Sequence, residues 1–203
     1  MPTIANMEKV NGIVISGTPA VPDAHTLIAT ATASSSATLS FVLGLDSLYD
    51  AYEFRFTNMH PATNDIYYLF QVNAAGASGF NETITSTSFY TIHNEADSST
   101  NLAYSNTAYD QAQGTAYQTI AIGGGNGADE SSSGILTLYN PSSTTYVKHF
   151  VAQGNVYHHA DATITTYAAG YINTTSAIDE ISFKFSSGNT DAGQIKMYGI
   201  AKA

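Results

Sequence analysis

Along most of this chain, apolar and polar residues alternate with a period of two, and Gly, Pro, Asn and Asp break the alternation at short intervals. In the stretch around Phe54, the residues Tyr52, Phe54 and Phe56 fall on one face of a strand, while Glu53 and Arg55 fall on the other. Ile66, Tyr68, Phe70 and Val72 repeat the pattern, so these two faces are expected in the core. Towards the end, Ile181, Phe183 and Phe185 alternate with Ser182 and Lys184. A Ser-Ser-Gly-Asn turn then leads into a partner strand at 194–200. The same reading places strands at 25–33, 38–43, 49–58, 66–73, 86–93, 116–122, 134–139, 145–153, 162–171 and 178–185. No window carries a 3.6-residue apolar period. The pattern therefore predicts an all-β domain, and strand number and spacing favour an antiparallel β-sandwich of jelly-roll type.

Residues 1–23 read differently. A short strand-like piece around Ile13 to Ile15 is followed by the breakers Gly17, Pro19 and Pro22, which predicts an N-terminal arm and linker ahead of a domain at 24–203. Val10, Ile13 and Ile15 are the apolar residues with which such an arm would lie across a neighbouring subunit by strand addition, although a loosely ordered leader suits the segment equally well. Within the domain, 94–114, 123–133 and 141–144 read as loops. The first sets Tyr104 and Tyr109 among Asn, Ser, Thr, Asp and Gln, a mixture suited to recognition, although buried anchoring suits a tyrosine equally well.

Composition narrows the function. A chain of 203 residues makes one sandwich that buries roughly 70% of its unfolded surface. It has no Cys, which removes disulfides and thiolate metal sites. Lys and Arg total 6 against 16 Asp and Glu, a formal charge of -10 that repels phosphate backbones and argues against a nucleic-acid partner. Only 11% of residues are charged, so the surface is expected to be neutral and polar, as suits lateral packing or sugar contact. No apolar run approaches the ~20 residues of a membrane span, and no signal-peptide core is present at the N-terminus.

Candidate chemistry is sparse. His60-Pro61 reads as a loop in which Pro61 sets the turn and His60 bonds backbone carbonyls. His158 and His159, with Asp161 close by and His149 one strand earlier, are the densest set of metal-ligating residues. Neighbours on a strand point to opposite faces, so one ion would recruit at most one of the pair; a trimer axis could gather copies of either histidine, and a polar turn is the simpler reading. The acidic pairs Asp46/Asp50, Glu95/Asp97 and Asp129/Glu130 lack the order of a calcium loop. The Gly-rich 123–127 run lacks a following Lys-Ser/Thr, and no G-x-S-x-G elbow occurs. Arg55, the single Arg, is expected to pair with Glu53 on an outer strand face or to meet a neighbouring subunit. No catalytic, cofactor or metal residue is assigned. The interaction candidates are Val10, Ile13, Ile15, Arg55, Tyr104, Tyr109, His158 and His159.

Two segments carry a family resemblance. YDAYEFRFTNMHPATNDIYYLFQVN at 49–73 and IDEISFKFSSGNTDAGQIKMYGI at 178–200 resemble the jelly-roll domains of tailed-bacteriophage virion proteins. There a strand, an Asn-x-His-Pro-Ala-Thr loop and a second strand come early, and an SG-x-x-x-x-G-x-(I/F)-K-x-YG hairpin comes last. The resemblance covers roughly residues 45–200. It implies a non-enzymatic virion protein that assembles with itself, as a homotrimer, and docks on a major capsid protein or a tail protein. A head decoration or cement role is expected from the short arm. The alternative is a tail-fibre or receptor-binding protein that offers its tyrosines to host surface glycans. A carbohydrate-binding module or glycan depolymerase ranks lower, because Trp is absent and no carboxylate pair can be identified.

Overall fold

The computed structural model describes residues 24–105 and 109–201, together with the backbone of two short strands, β1 (Met7–Val10) and β2 (Ile13–Ser16). These two pair antiparallel in a sheet of their own, with Val10 opposite Ile13 and Glu8 opposite Ile15. The rest of the arm expected over 1–23 lies outside the described residues, as do the side chains of Val10, Ile13 and Ile15.

The remaining strands form a sandwich. One layer contains β3 (His25–Thr32), β14 (Thr190–Ile200), β5 (Ala51–Pro61) and β10 (Ser132–Tyr139), in that order. The facing layer contains β4 (Leu39–Phe41), β13 (Ile178–Phe185), β6 (Ile66–Ala74) and β9 (Gln118–Gly124). Numbered along the chain as eight strands, the first layer reads first, eighth, third, sixth, and the second reads second, seventh, fourth, fifth. That permutation is the double Greek key of a jelly roll, so the predicted architecture is present.

Four further strands extend the first layer. β7 (Ile84–Asn94) and β8 (Thr100–Tyr104) are inserted between β6 and β9, while β11 (Lys148–His158) and β12 (Ala162–Ile172) are inserted between β10 and β13. The two insertions join through β12 and β7, which pair over their whole lengths from Ala162↔Asn94 to Ile172↔Ile84. The layer thus continues β10-β11-β12-β7-β8. At one end the layers touch through a single backbone pairing, His158 of β11 with Gly124 of β9.

Alternation puts the expected residues inside. Tyr52, Phe54, Phe56, Tyr68, Phe70, Ile181, Phe183 and Phe185 are all buried in one apolar cluster. Phe183 sits at its centre, with ring centroids 5.5 Å from Phe54, 6.2 Å from Tyr68, 6.4 Å from Phe70 and 6.5 Å from Phe41. The Tyr68 hydroxyl is buried here without a hydrogen-bond partner, and burial raises its pKa well above the ordinary value. Leu69, Ile122, Ala162, Ile164 and Ala168 are buried outside that cluster, in a smaller apolar layer where the extension meets the body. Gly154 makes this approach feasible, because a Cβ there would lie 2.4 Å from the Ile120 carbonyl oxygen of β9.

Several boundaries differ from the sequence reading, among them β11, which runs to His158 and not to 153, and β14, which begins at Thr190 and not at 194. β8 lies inside the 94–114 segment expected to be a loop. β5 runs on through His60 and Pro61, whose position at the strand end is one where a missing amide donor is tolerated. His60 keeps its expected structural role, since its Nδ1 donates to the Glu130 carbonyl at 2.7 Å. Gly123 and Gly124 belong to β9 and not to the connection after it.

Candidate functional site

Where the extension curls past β9, the chain leaves an open cleft of about 320 Å³. The apolar floor is Ile92, Ile164 and Ile122. Register pairs Ile164 with Ile92 and Thr166 with Tyr90, so Tyr90 and both isoleucines share the inner face of the extension. Tyr67 reaches the cleft from β6, in the phase opposite to the core residues Ile66 and Tyr68. Tyr109 completes the aromatic wall, its ring centroid 5.0 Å from that of Tyr67 in an edge-to-face contact and its hydroxyl 3.4 Å from the Tyr67 hydroxyl. The buried Gln118 holds this loop, because its Nε2 donates to the Tyr109 carbonyl at 2.8 Å and its Oε1 accepts from Ser86 at 2.6 Å. Burial, chiefly, and the neighbouring Tyr67 push the Tyr109 pKa up to about 12.

Asp65 and His158 stand at the mouth of the cleft. Asp65 occupies the left-handed region, φ 55°, in the turn between β5 and β6. His158 is the last residue of β11, and His159 begins the turn to β12. The strand rule that separated the two histidines therefore fails here: pleating ends at His158, and both imidazoles turn to the same carboxylate. Asp65 Oδ1 lies 3.8 Å from His158 Nε2 and 3.7 Å from His159 Nδ1, and the two rings are 4.0 Å apart. Desolvation lowers the His158 pKa, with His159 adding to the effect and Asp65 and Glu130 opposing it. His149 lies at the far end of β11, opposite Tyr171.

The other candidates are dispersed. Tyr104 borders the cleft, yet its register partner is Phe89, so its side chain belongs to the outer face, where its hydroxyl donates to Asp110 at 2.7 Å. Arg55 lies on the outer face of the body, bonds Glu53 as expected, and sits over the Tyr198 ring at 5.1 Å. Asp65, Tyr67 and Tyr90 did not stand out in the sequence. A signal was there for Tyr67, an aromatic in the polar phase of a strongly alternating strand.

A second feature is the outer face of the extension. Strand register puts Phe89, Tyr167, Tyr104, Leu102 and Val151 on it, with Phe89 and Tyr167 stacked at 5.0 Å. Leu102 and Tyr104 are 68% and 64% exposed, at the free edge of the layer. The outward positions of β7, β12 and β11 add Thr87, Thr91, His93, Thr163, Thr165, Gln153 and Asn155, with no Asp, Glu, Lys or Arg among them.

Chemically, the cleft matches the face of a small polar ring. Aromatic walls accept C–H faces, while a carboxylate and an imidazole at the mouth bond hydroxyl groups. Asp65 is the one carboxylate lining it among the described residues, whereas glycoside hydrolysis by the usual route needs two. Compared with protein-family models, curated proteins and solved structures, the chain matches none.

Proposed function

We propose that this protein is a non-enzymatic structural component of a tailed-phage virion, a decoration or cement protein of the head surface. In this reading it packs against its own copies, as a homotrimer, and against the major capsid protein. The observation that carries the reading is the extension's outer face, a broad sheet surface without formal charge that exposes Phe89, Leu102, Tyr104, Val151 and Tyr167. Exposed apolar patches of this kind mark interaction surfaces, and a sheet face without formal charge lets copies approach despite a net charge of -10 and the carboxylates Asp97 and Asp110 at its margin. The resemblance of 49–73 and 178–200 to phage jelly rolls supplies the setting.

A second reading is favoured by the tyrosine cleft: a tail-located receptor-binding protein holding a sugar of a host surface glycan between Tyr67, Tyr90 and Tyr109. Quantitative mass spectrometry of purified particles, normalised to the major capsid protein, separates the two. Hundreds of copies per particle agree with decoration. A handful of copies overturns it in favour of the tail, and absence from particles defeats both.

A further inference from the structure

We propose that Asp65, His158 and His159 form a site for one divalent transition-metal ion of the zinc type, which pins the β5–β6 turn to the β11–β12 turn. The three ligand atoms lie within 4.8 Å of one another. Both carboxylate–imidazole separations, 3.7 and 3.8 Å, are too long for hydrogen bonds. They suit two ligands across a shared ion, since bonds of about 2.0–2.2 Å at a tetrahedral angle set ligand atoms roughly 3.4 Å apart. The two carboxylate–imidazole pairs therefore need to close by only a few tenths of an ångström, and the two ring nitrogens, within 4.8 Å of each other, by up to about 1.4 Å.

A separate observation points the same way. His159 Nδ1 is buried and has no hydrogen-bond partner, although it faces Asp65. A buried ring nitrogen without a partner is costly, and a metal ion would satisfy it. The donor set, two imidazoles and one carboxylate, is that of three-ligand zinc sites with an open fourth position. It is poor for calcium, which takes about 6–8 oxygens. Since Asp65 and His158 also line the tyrosine cleft, the open position is adjacent to that cleft.

Binding has one internal cost. His158 Nδ1 accepts a hydrogen bond from the Ala160 amide at 3.2 Å, which puts the proton of the neutral ring on Nε2. Coordination through Nε2 moves that proton to Nδ1 and releases the Ala160 amide to solvent, with no net change in the proton count of the ring. The long contact is exchanged for a metal–nitrogen bond. Because His158 also makes the one backbone pairing between β11 and β9, the ion would brace the joint between the two layers.

The test is calorimetric titration of the full chain with Zn²⁺, alongside thermal unfolding with and without the ion. One Zn²⁺ per chain and a raised unfolding midpoint are expected, with Ca²⁺ and Mg²⁺ producing neither. Asp65→Asn and His159→Gln should each weaken binding by about tenfold or more. Asn tolerates the left-handed backbone at 65, so Asp65→Asn should fold as the parent does. His93→Asn, which removes the exposed His93–Asp97 pair, should leave binding intact. Co²⁺ provides a readout independent of stability: a visible absorption spectrum of four-coordinate type, lost in Asp65→Asn. Binding that survives Asp65→Asn and His159→Gln, or that depends on His93, overturns the proposal, and so does a six-coordinate Co²⁺ spectrum.

Discussion

Over β5 and β14 the outward positions of the large layer include Glu53, Arg55, Lys196 and Tyr198; further along, over β12 and β7, they are Thr165, Tyr167, Thr91 and Phe89. Both stretches are antiparallel ladders of one continuous layer, and both cover apolar residues beneath. They differ in what faces water. In the body, Glu53 and Arg55 pair with each other, and charge of both signs keeps the surface hydrated. In the extension the sheet face itself carries no formal charge, Asp97 and Asp110 stand at its margin, and a ring pair lies open. β-Proteins put charge on faces and edges that must stay solvated. Its absence from the sheet face of the extension sets that half of the layer apart from the body.

The sharpest way to break this comparison is to empty the body's centre. Phe183→Ala should lower the unfolding free energy by about 3–5 kcal/mol, read by denaturant titration, because the ring is fully buried among four aromatic neighbours. Gly154→Val comes next. Its side chain would collide with the Ile120 carbonyl, so a loss of about 2–3 kcal/mol is expected, together with faster amide exchange in β9.

Alkaline pH probes the tyrosines in both regions. Tyr68 in the body and Tyr109 at the cleft have raised folded-state pKa values, so the folded chain retains their protons more firmly than the unfolded chain. Their contribution is complete below the ordinary value of 10.0 and is lost as pH rises through the folded values, which for Tyr109 is about 12. Tyr109 contributes to that loss over the window between 10.0 and about 12. Tyrosinate absorbance should rise in two stages, with Tyr68 ionising only as the fold opens. The smallest stability effect belongs to the paired variant Phe89→Ser with Tyr167→Ser, which should stay within about 1 kcal/mol of the parent. It should nevertheless reduce self-association in sedimentation and retention on particles. A variant that unfolds, or one that associates as before, removes the distinction between the two faces.

Much of the fold was legible in the sequence, and the reason is the period of two. A strand that buries one face must alternate, so Phe54, Phe70 and Phe183 announced themselves. β8 did not, because Leu102 and Tyr104 remain exposed at the free edge and the strand has no core face to encode. The insertions were visible as strands but not as an extension, since pairing partners such as Ile92 and Ile164 are set by topology and not by local pattern. The site was harder still. His158 and His159 stand out in the sequence, but the strand rule that separates them stops applying where β11 ends. Asp65 joins them from a turn far away in sequence, a juxtaposition that no spacing rule could supply.

The full-length pairing of β7 with β12 has a kinetic consequence. The two strands come from different insertions, separated by the jelly-roll strands β9 and β10, so neither insertion can complete the extension alone. During synthesis β7 and β8 emerge well before β12. The flank of β7 that will hold β12 is then an open template, and ladders of such long sequence separation close slowly. In that interval β12 of another chain competes for the same edge. Exchange of β11 and β12 between copies would yield intertwined oligomers with native contacts throughout, and refolding at rising protein concentration should reveal them as a slowly dissociating species.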